Sequence, residues 1–198
     1  SLDDILSGLH EVGMLAKYGA GTAIDFSLIR PLGETISNGG TSNGVLSWIK
    51  LYEELIQKVS QSNARRGFLS AYLRTDHGDI LDFLEIGTPN HEIQHITTGV
   101  VFVKGFMQKV LDGDSEARKI YAKVLKRRSE IGFPYILFED NTYKNIPPVY
   151  QDKAEWLGTS NICSECVFDA APHEHFVCVL SSVNLAKYDE WKDTDLVF

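Results

Sequence analysis

Four short apolar stretches, set apart by segments of helical spacing, constrain this chain more than any other feature of it. Residues 96–103 (ITTGVVFV) are β-branched and apolar, as a strand buried on both faces requires. Residues 22–29 (TAIDFSLI) alternate, 68–73 read as a further strand, and 134–138 (PYILF) as a fourth. Before them, apolar Leu2, Ile5, Leu6, Leu9, Val12, Met14 and Leu15 recur at helical spacing over 2–17. Asp3 and Asp4 fall in the first turn, where negative charge favours the helix dipole. The same spacing predicts helices over 45–59, 79–84, 106–111 and 115–131. Strands that alternate with helices join in parallel through crossovers, so the expected fold is α/β with a mainly parallel sheet. No repeat, low-complexity tract or linker divides the chain, which makes residues 1–198 one domain or part of one.

A chain of 198 residues can bury a core without disulfides or metals. Hydrophobic residues at 43% and aromatics at 11% exclude a disordered chain, and no apolar run approaches the ~18–20 residues of a membrane span. The net charge of −8, with no basic block, argues against duplex nucleic acid as a partner. No signal-peptide pattern opens the sequence. All three cysteines fall between Cys163 and Cys178, which suits a reducing, cytoplasmic compartment and a local chemical task better than a disulfide framework.

That segment, Gly158-Thr159-Ser160-Asn161-Ile162-Cys163-Ser164-Glu165-Cys166, followed by His173, His175 and Cys178, admits several readings. Thiolates and imidazoles at such spacing suit tetrahedral zinc, hence a zinc-stabilised or nucleotide-binding module. A thioredoxin-like dithiol fits less well, because that motif opens a helix after a strand near the start of its domain. Three buried structural cysteines are the plainest alternative. Asn161-x-Cys163-x-Glu165 adds something these readings leave out. Side chains alternate in an extended segment, so amide, thiol and carboxylate would share one face. A sulfur radical at Cys163 would then take hydrogen from a sugar carbon, Glu165 the adjacent hydroxyl proton, and Asn161 would hold a second hydroxyl.

On these residues the chain resembles the large, catalytic subunit of aerobic, class I ribonucleotide reductase. The resemblance runs from Ser1-Leu2-Asp3 through Ala20-Gly21, Ile29-Arg30-Pro31-Leu32-Gly33, Asn38-Gly39-Gly40, Ser42-Asn43-Gly44, Arg65-Arg66-Gly67 and His77-x-Asp79-Ile80. It continues through Phe106-Met107, Gly132-x-Pro134-Tyr135-Ile136, Ser160-Asn161-x-Cys163-x-Glu165 and Cys178-x-Leu180-Ser181-Ser182-x-Asn184-Leu185. It implies part of a ten-stranded α/β barrel whose finger loop carries the radical cysteine. The chain would be an internal or split-gene fragment of a larger subunit, inactive without its complementing segments. Ser1 offers the hydroxyl expected at the first residue after an intein.

The resemblance implies the following roles. Cys163 would carry the thiyl radical, Glu165 would be the base at the ribose 3′-hydroxyl, and Asn161 would bind the hydroxyls. Cys178 would be one member of a redox pair whose partner lies outside the chain. Gly21 and Ser160 would join these three in holding the ribonucleoside diphosphate. Ser1, Leu2, Arg30 and Ser37 would meet a deoxynucleotide or ATP effector, and Gln61, Arg65 and Arg66 would form the loop that relays effector identity to the substrate base. No metal or cofactor would bind directly. The radical would come from a separate metal-containing small subunit, and electrons from thioredoxin or glutaredoxin. The cobalamin-dependent class shares the Asn-x-Cys-x-Glu motif. Cys166 departs from the family, where an apolar residue is usual, and is expected as a small buried hydrophobe. His173 and His175 are expected in a solvated loop.

Overall fold

A computed structural model describes residues 1–37, 39–60, 66–148, 159–167, 176–179 and 181–194. The elements run α1 (Leu2–Lys17), β1 (Gly21–Asp25), α2 (Gly44–Val59), β2 (Phe68–Arg74), α3 (Ile80–Phe83), β3 (Thr97–Phe102), α4 (Phe106–Asp112), α5 (Ser115–Ile131), β4 (Tyr135–Phe138) and α6 (Glu139–Lys144). A 3-10 turn at Leu185–Lys187 and a short helix at Tyr188–Trp191 follow. The four strands pair in parallel in the order β1-β2-β3-β4, as the alternation predicts. Among the described residues no helix is long and apolar enough to cross a membrane.

The sheet has two faces of different character. Leu69, Ala71 and Leu73 of β2, with Val100 and Phe102 of β3, join one apolar core with Val12 and Ala16 of α1, Val45, Ile49, Tyr52 and Ile56 of α2, and Ala117 and Val124 of α5. The helical positions recur at intervals of three, four or seven, so each helix offers one stripe to the sheet. The alternate residues of β2 and β3, Ser70, Tyr72, Thr97 and Gly99, fall on the opposite face by the strand period of two. Parallel register sets Gly21 and Ala23 beside Phe68 and Ser70 on that face.

Strand β1 ends four residues before the predicted limit of 29. The Asp25 carboxylate accepts hydrogen bonds from the Ser27 backbone N–H at 2.9 Å and its hydroxyl at 2.5 Å, which turns the chain. Strand β4 begins at Tyr135, after Pro134, whose missing N–H cannot join a ladder.

Buried acids pin the long connections. Asp79 accepts from the backbone N–H groups of Leu32 and Val45, both at 2.9 Å, and so holds both ends of the glycine-rich loop 32–45. His77 Nε2 donates to the Ile29 carbonyl at 2.7 Å while its Nδ1 accepts from the Asp79 N–H at 3.1 Å, which fixes its tautomer. Glu53, with its side chain 1% exposed, accepts from the N–H groups of Gln94 and His95 at 2.8 and 2.6 Å and from Lys50 at 3.0 Å. Burial alone would push the Glu53 carboxyl up, but the His95 and Gln94 N–H groups and the Lys50 ammonium outweigh it and hold it below the usual value. A depressed carboxylate stabilises the fold fully above the unfolded value of 4.5 and loses that contribution as pH falls through the folded value. Acid unfolding followed by circular dichroism should therefore begin below pH 4.5, and Glu53→Gln should flatten that limb while lowering stability at neutral pH.

Candidate active site

The free face of the sheet receives a tight turn built from 160–166. The Ser164 N–H bonds to the Asn161 carbonyl at 3.0 Å, closing a β-turn with Cys163 at its third position, and Ser164 takes a positive φ of 68°. At the base, the Asn161 N–H bonds to the Cys166 carbonyl at 3.0 Å, an acceptor shared with the Ser160 hydroxyl at 2.7 Å. Asn161 organises the interior. Its Oδ1 accepts from the N–H groups of Glu165 and Cys166 at 3.1 and 3.0 Å and from the Ser160 hydroxyl at 3.2 Å, and its Nδ2 donates to Glu165 Oε1 at 2.7 Å.

Asn161 and Glu165 therefore meet by a different route from the one the spacing suggests, and Cys163 does not share a face with them as an extended segment would require. The segment is a turn, and strand alternation does not align its side chains. Asn161 competes for backbone N–H groups, as short amide side chains do, and that bends the chain. The outcome retains the pairing of amide and acid and puts the Cys163 thiol, which is exposed, at the tip.

Strand residues seat the turn. The buried Tyr72 hydroxyl donates to the Asn161 carbonyl at 3.2 Å, and the Ser70 hydroxyl donates to the Ile162 carbonyl at 3.1 Å while also bonding Thr97. Two glycines make room. A Cβ at Gly99 would lie 2.2 Å from Tyr72 Cε1, and one at Gly21 would lie 2.6 Å from Ile162 Cδ1. Gly21 thus lies against the turn. Ser70, Tyr72, Thr97 and Gly99 support the turn and do not stand out in the sequence reading. The glycine inside ITTGVVFV was the one available signal, since a strand glycine marks close approach of another group.

Charge is distributed unevenly. The Asn161 amide holds the Glu165 carboxyl below its usual range, so it is a ready anion. Cys178 Sγ lies 3.5 Å from Glu165 Oε1, and partial desolvation, then that carboxylate, push its thiol up. The donor atoms of Glu165, Cys166 and Cys178 all lie within 4.8 Å of one another. This differs from the expected zinc set, because Cys163 is outside the cluster and His173 and His175 lie outside the described residues. It also corrects the reading of Cys166, which is half-buried beside a second thiol and a carboxylate, and is not a core residue.

The other expected positions are more dispersed. Arg30 is exposed just before the loop pinned by Asp79 and Ser37 is exposed on it, Ser1 caps α1 with Leu2 exposed beside it, and Arg66 is exposed before β2. Gln61 and Arg65 lie outside the described residues.

Residues 1–116 and 114–196 match the family model of the ribonucleotide reductase barrel domain, and the chain belongs to that family. It is similar to the alpha subunit of the class Id ribonucleotide reductase of Actinobacillus ureae, with a TM-score of 0.85 and 38% identity over 98% of this chain and 36% of that one. It is 26% identical to the ribonucleoside-diphosphate reductase large chain of Schizosaccharomyces pombe, over 94% of this chain and 28% of the relative. It is 28% identical to the vitamin B12-dependent ribonucleoside-diphosphate reductase of Mycobacterium tuberculosis, again over 94% of this chain and 28% of the relative. The chain spans about a third of the length of these relatives.

Proposed function

We propose that this chain is the radical-carrying part of the catalytic barrel of a class I ribonucleoside-diphosphate reductase, residues 1–198 forming a portion of that one domain. The observation that carries the reading is the turn on which Cys163 is exposed at the tip while the Asn161 amide bonds Glu165 at 2.7 Å. A thiyl radical at Cys163 takes a hydrogen atom from ribose C3′ and becomes a thiol, leaving a carbon radical. The Glu165 carboxylate takes the 3′-hydroxyl proton, and the second Nδ2 hydrogen of Asn161 is available for a sugar hydroxyl. The 2′-oxygen departs as water, a dithiol that includes Cys178 supplies two electrons and two protons and becomes a disulfide, and C3′ takes its hydrogen atom back from the Cys163 thiol, which restores the thiyl radical. Gly21 and Ser160 border the substrate. Ser1, Leu2, Arg30 and Ser37 meet a deoxynucleotide or ATP effector, and Gln61, Arg65 and Arg66 relay it. A metal-containing small subunit supplies the radical, thioredoxin or glutaredoxin supplies electrons, and the reaction is cytoplasmic.

The chain alone is expected to be inactive and to need complementing large-subunit segments. The test mixes it with complementing large-subunit segments, a radical-generating small subunit, a dithiol, effector and a ribonucleoside diphosphate. Deoxynucleotide is expected from the mixture and none from the chain alone. Activity supported by adenosylcobalamin instead of the small subunit would assign the cobalamin class, and no product from either assembled mixture would overturn the reading. The Glu165, Cys166 and Cys178 cluster favours a second reading, a zinc-stabilised module, which stoichiometric zinc surviving dialysis would support.

A further inference from the structure

We propose that Cys166 and Cys178 form a dithiol couple of their own, closing a reversible disulfide that leaves Cys163 free. Their sulfurs lie within 4.8 Å of each other, both thiols are unbridged, and neither residue sits in a helix or strand. A disulfide needs sulfurs about 2.05 Å apart. Moving one sulfur between staggered χ1 wells carries it about 3 Å, so side-chain rotation covers the gap without unfolding the turn. The backbone on the Cys166 side is held in place, since its N–H and carbonyl are bonded to Asn161. Cys178 is exposed and is therefore the sulfur that meets an oxidant first. Cys163 is separated from this pair by the turn itself and stands outside the cluster.

The exchange balances with a small-molecule disulfide as oxidant. The Cys178 thiolate attacks one sulfur of that disulfide, forming a mixed disulfide and releasing one small thiol. The Cys166 thiolate then displaces the second small thiol and closes the Cys166–Cys178 bond. Two protein thiols are oxidised and one small disulfide is reduced to two thiols. In the closed form Cys178 is withheld from any other partner, which makes the pair a local redox switch.

The inference does not rest on the reductase reading, and its test needs neither substrate nor radical. The full chain is incubated with oxidised glutathione, free thiols are alkylated, and peptides are mapped without reduction. Free thiols should fall from three to one, with a Cys166–Cys178 cross-linked peptide and Cys163 alkylated. Cys166→Ser should leave a glutathione adduct on Cys178 and no internal bond, while Cys163→Ser should still close it. Linkage through Cys163, separate adducts on Cys166 and Cys178 in the unmodified chain, or three alkylated thiols throughout would overturn the proposal.

Discussion

With Cys163 replaced by serine, the complemented enzyme should lose nucleotide reduction by at least about 1,000-fold, or about 4 kcal/mol in barrier. A serine O–H holds its hydrogen more firmly than a thiol, so the position can neither accept the radical nor pass it to carbon. The fold should be unaffected. Cys163 is exposed, and the turn around it is closed by hydrogen bonds of the Asn161 carbonyl, the Asn161 side chain and the Tyr72 and Ser70 hydroxyls, none of which is made through the sulfur. The two measurements are deoxynucleotide yield and the thermal midpoint of the variant. Loss of yield with an unchanged midpoint is the expected pair, and a Cys163→Ser enzyme that still makes product would remove this cysteine from the chemistry. Glu165→Gln gives a second comparison. It keeps the shape of the group but removes the anion that takes the proton.

Gly99→Ala should lower the thermal midpoint by about 5–15 °C, from about 2–4 kcal/mol of lost stability. The added Cβ would sit 2.2, 2.4 and 2.8 Å from three carbons of the Tyr72 ring, and that ring is fully buried between neighbouring strands. It cannot swing away as a surface side chain would. If the ring is displaced, its hydroxyl leaves the Asn161 carbonyl, and the turn loses a hydrogen bond worth about 1 kcal/mol. Tyr72→Phe isolates that second part and should cost only about 1 kcal/mol. Thermal melting of the three proteins separates crowding from hydrogen bonding. A Gly99→Ala chain that melts with the parent would mean the close approach is not there.

Helices whose apolar residues repeat cleanly were legible to the residue. The 115–131 helix has the limits its spacing predicts, and the structure shows what sharpens them: Asp114 caps it, accepting from the Ala117 N–H at 2.8 Å, and Gly132 ends it. The parallel sheet followed from the alternation of elements. The helices at Glu139–Lys144 and Tyr188–Trp191 were missed, since six and four residues carry too little periodicity to register. The site was half legible. Asn161, Cys163 and Glu165 stand out as residue types, but the residues that seat them are a serine, a threonine, a tyrosine and a glycine spread over two strands. Their partners lie about ninety positions away, as with Ser70 and Ile162, and a local pattern cannot report a contact of that reach. The turn itself was legible in principle, because an asparagine that can accept from N–H groups four and five residues ahead signals a bend more than an extended strand.

The Asn161 side chain has a thermodynamic consequence. Ordering a flexible polar side chain at the moment of encounter costs about 0.5–1.5 kcal/mol. Here the amide and the carboxylate give up that freedom when the chain folds, because backbone N–H groups already fix the amide and the amide fixes the acid. On the proposed reading, an arriving sugar would therefore meet a preorganised donor and acceptor, and its affinity would not be reduced by having to order them.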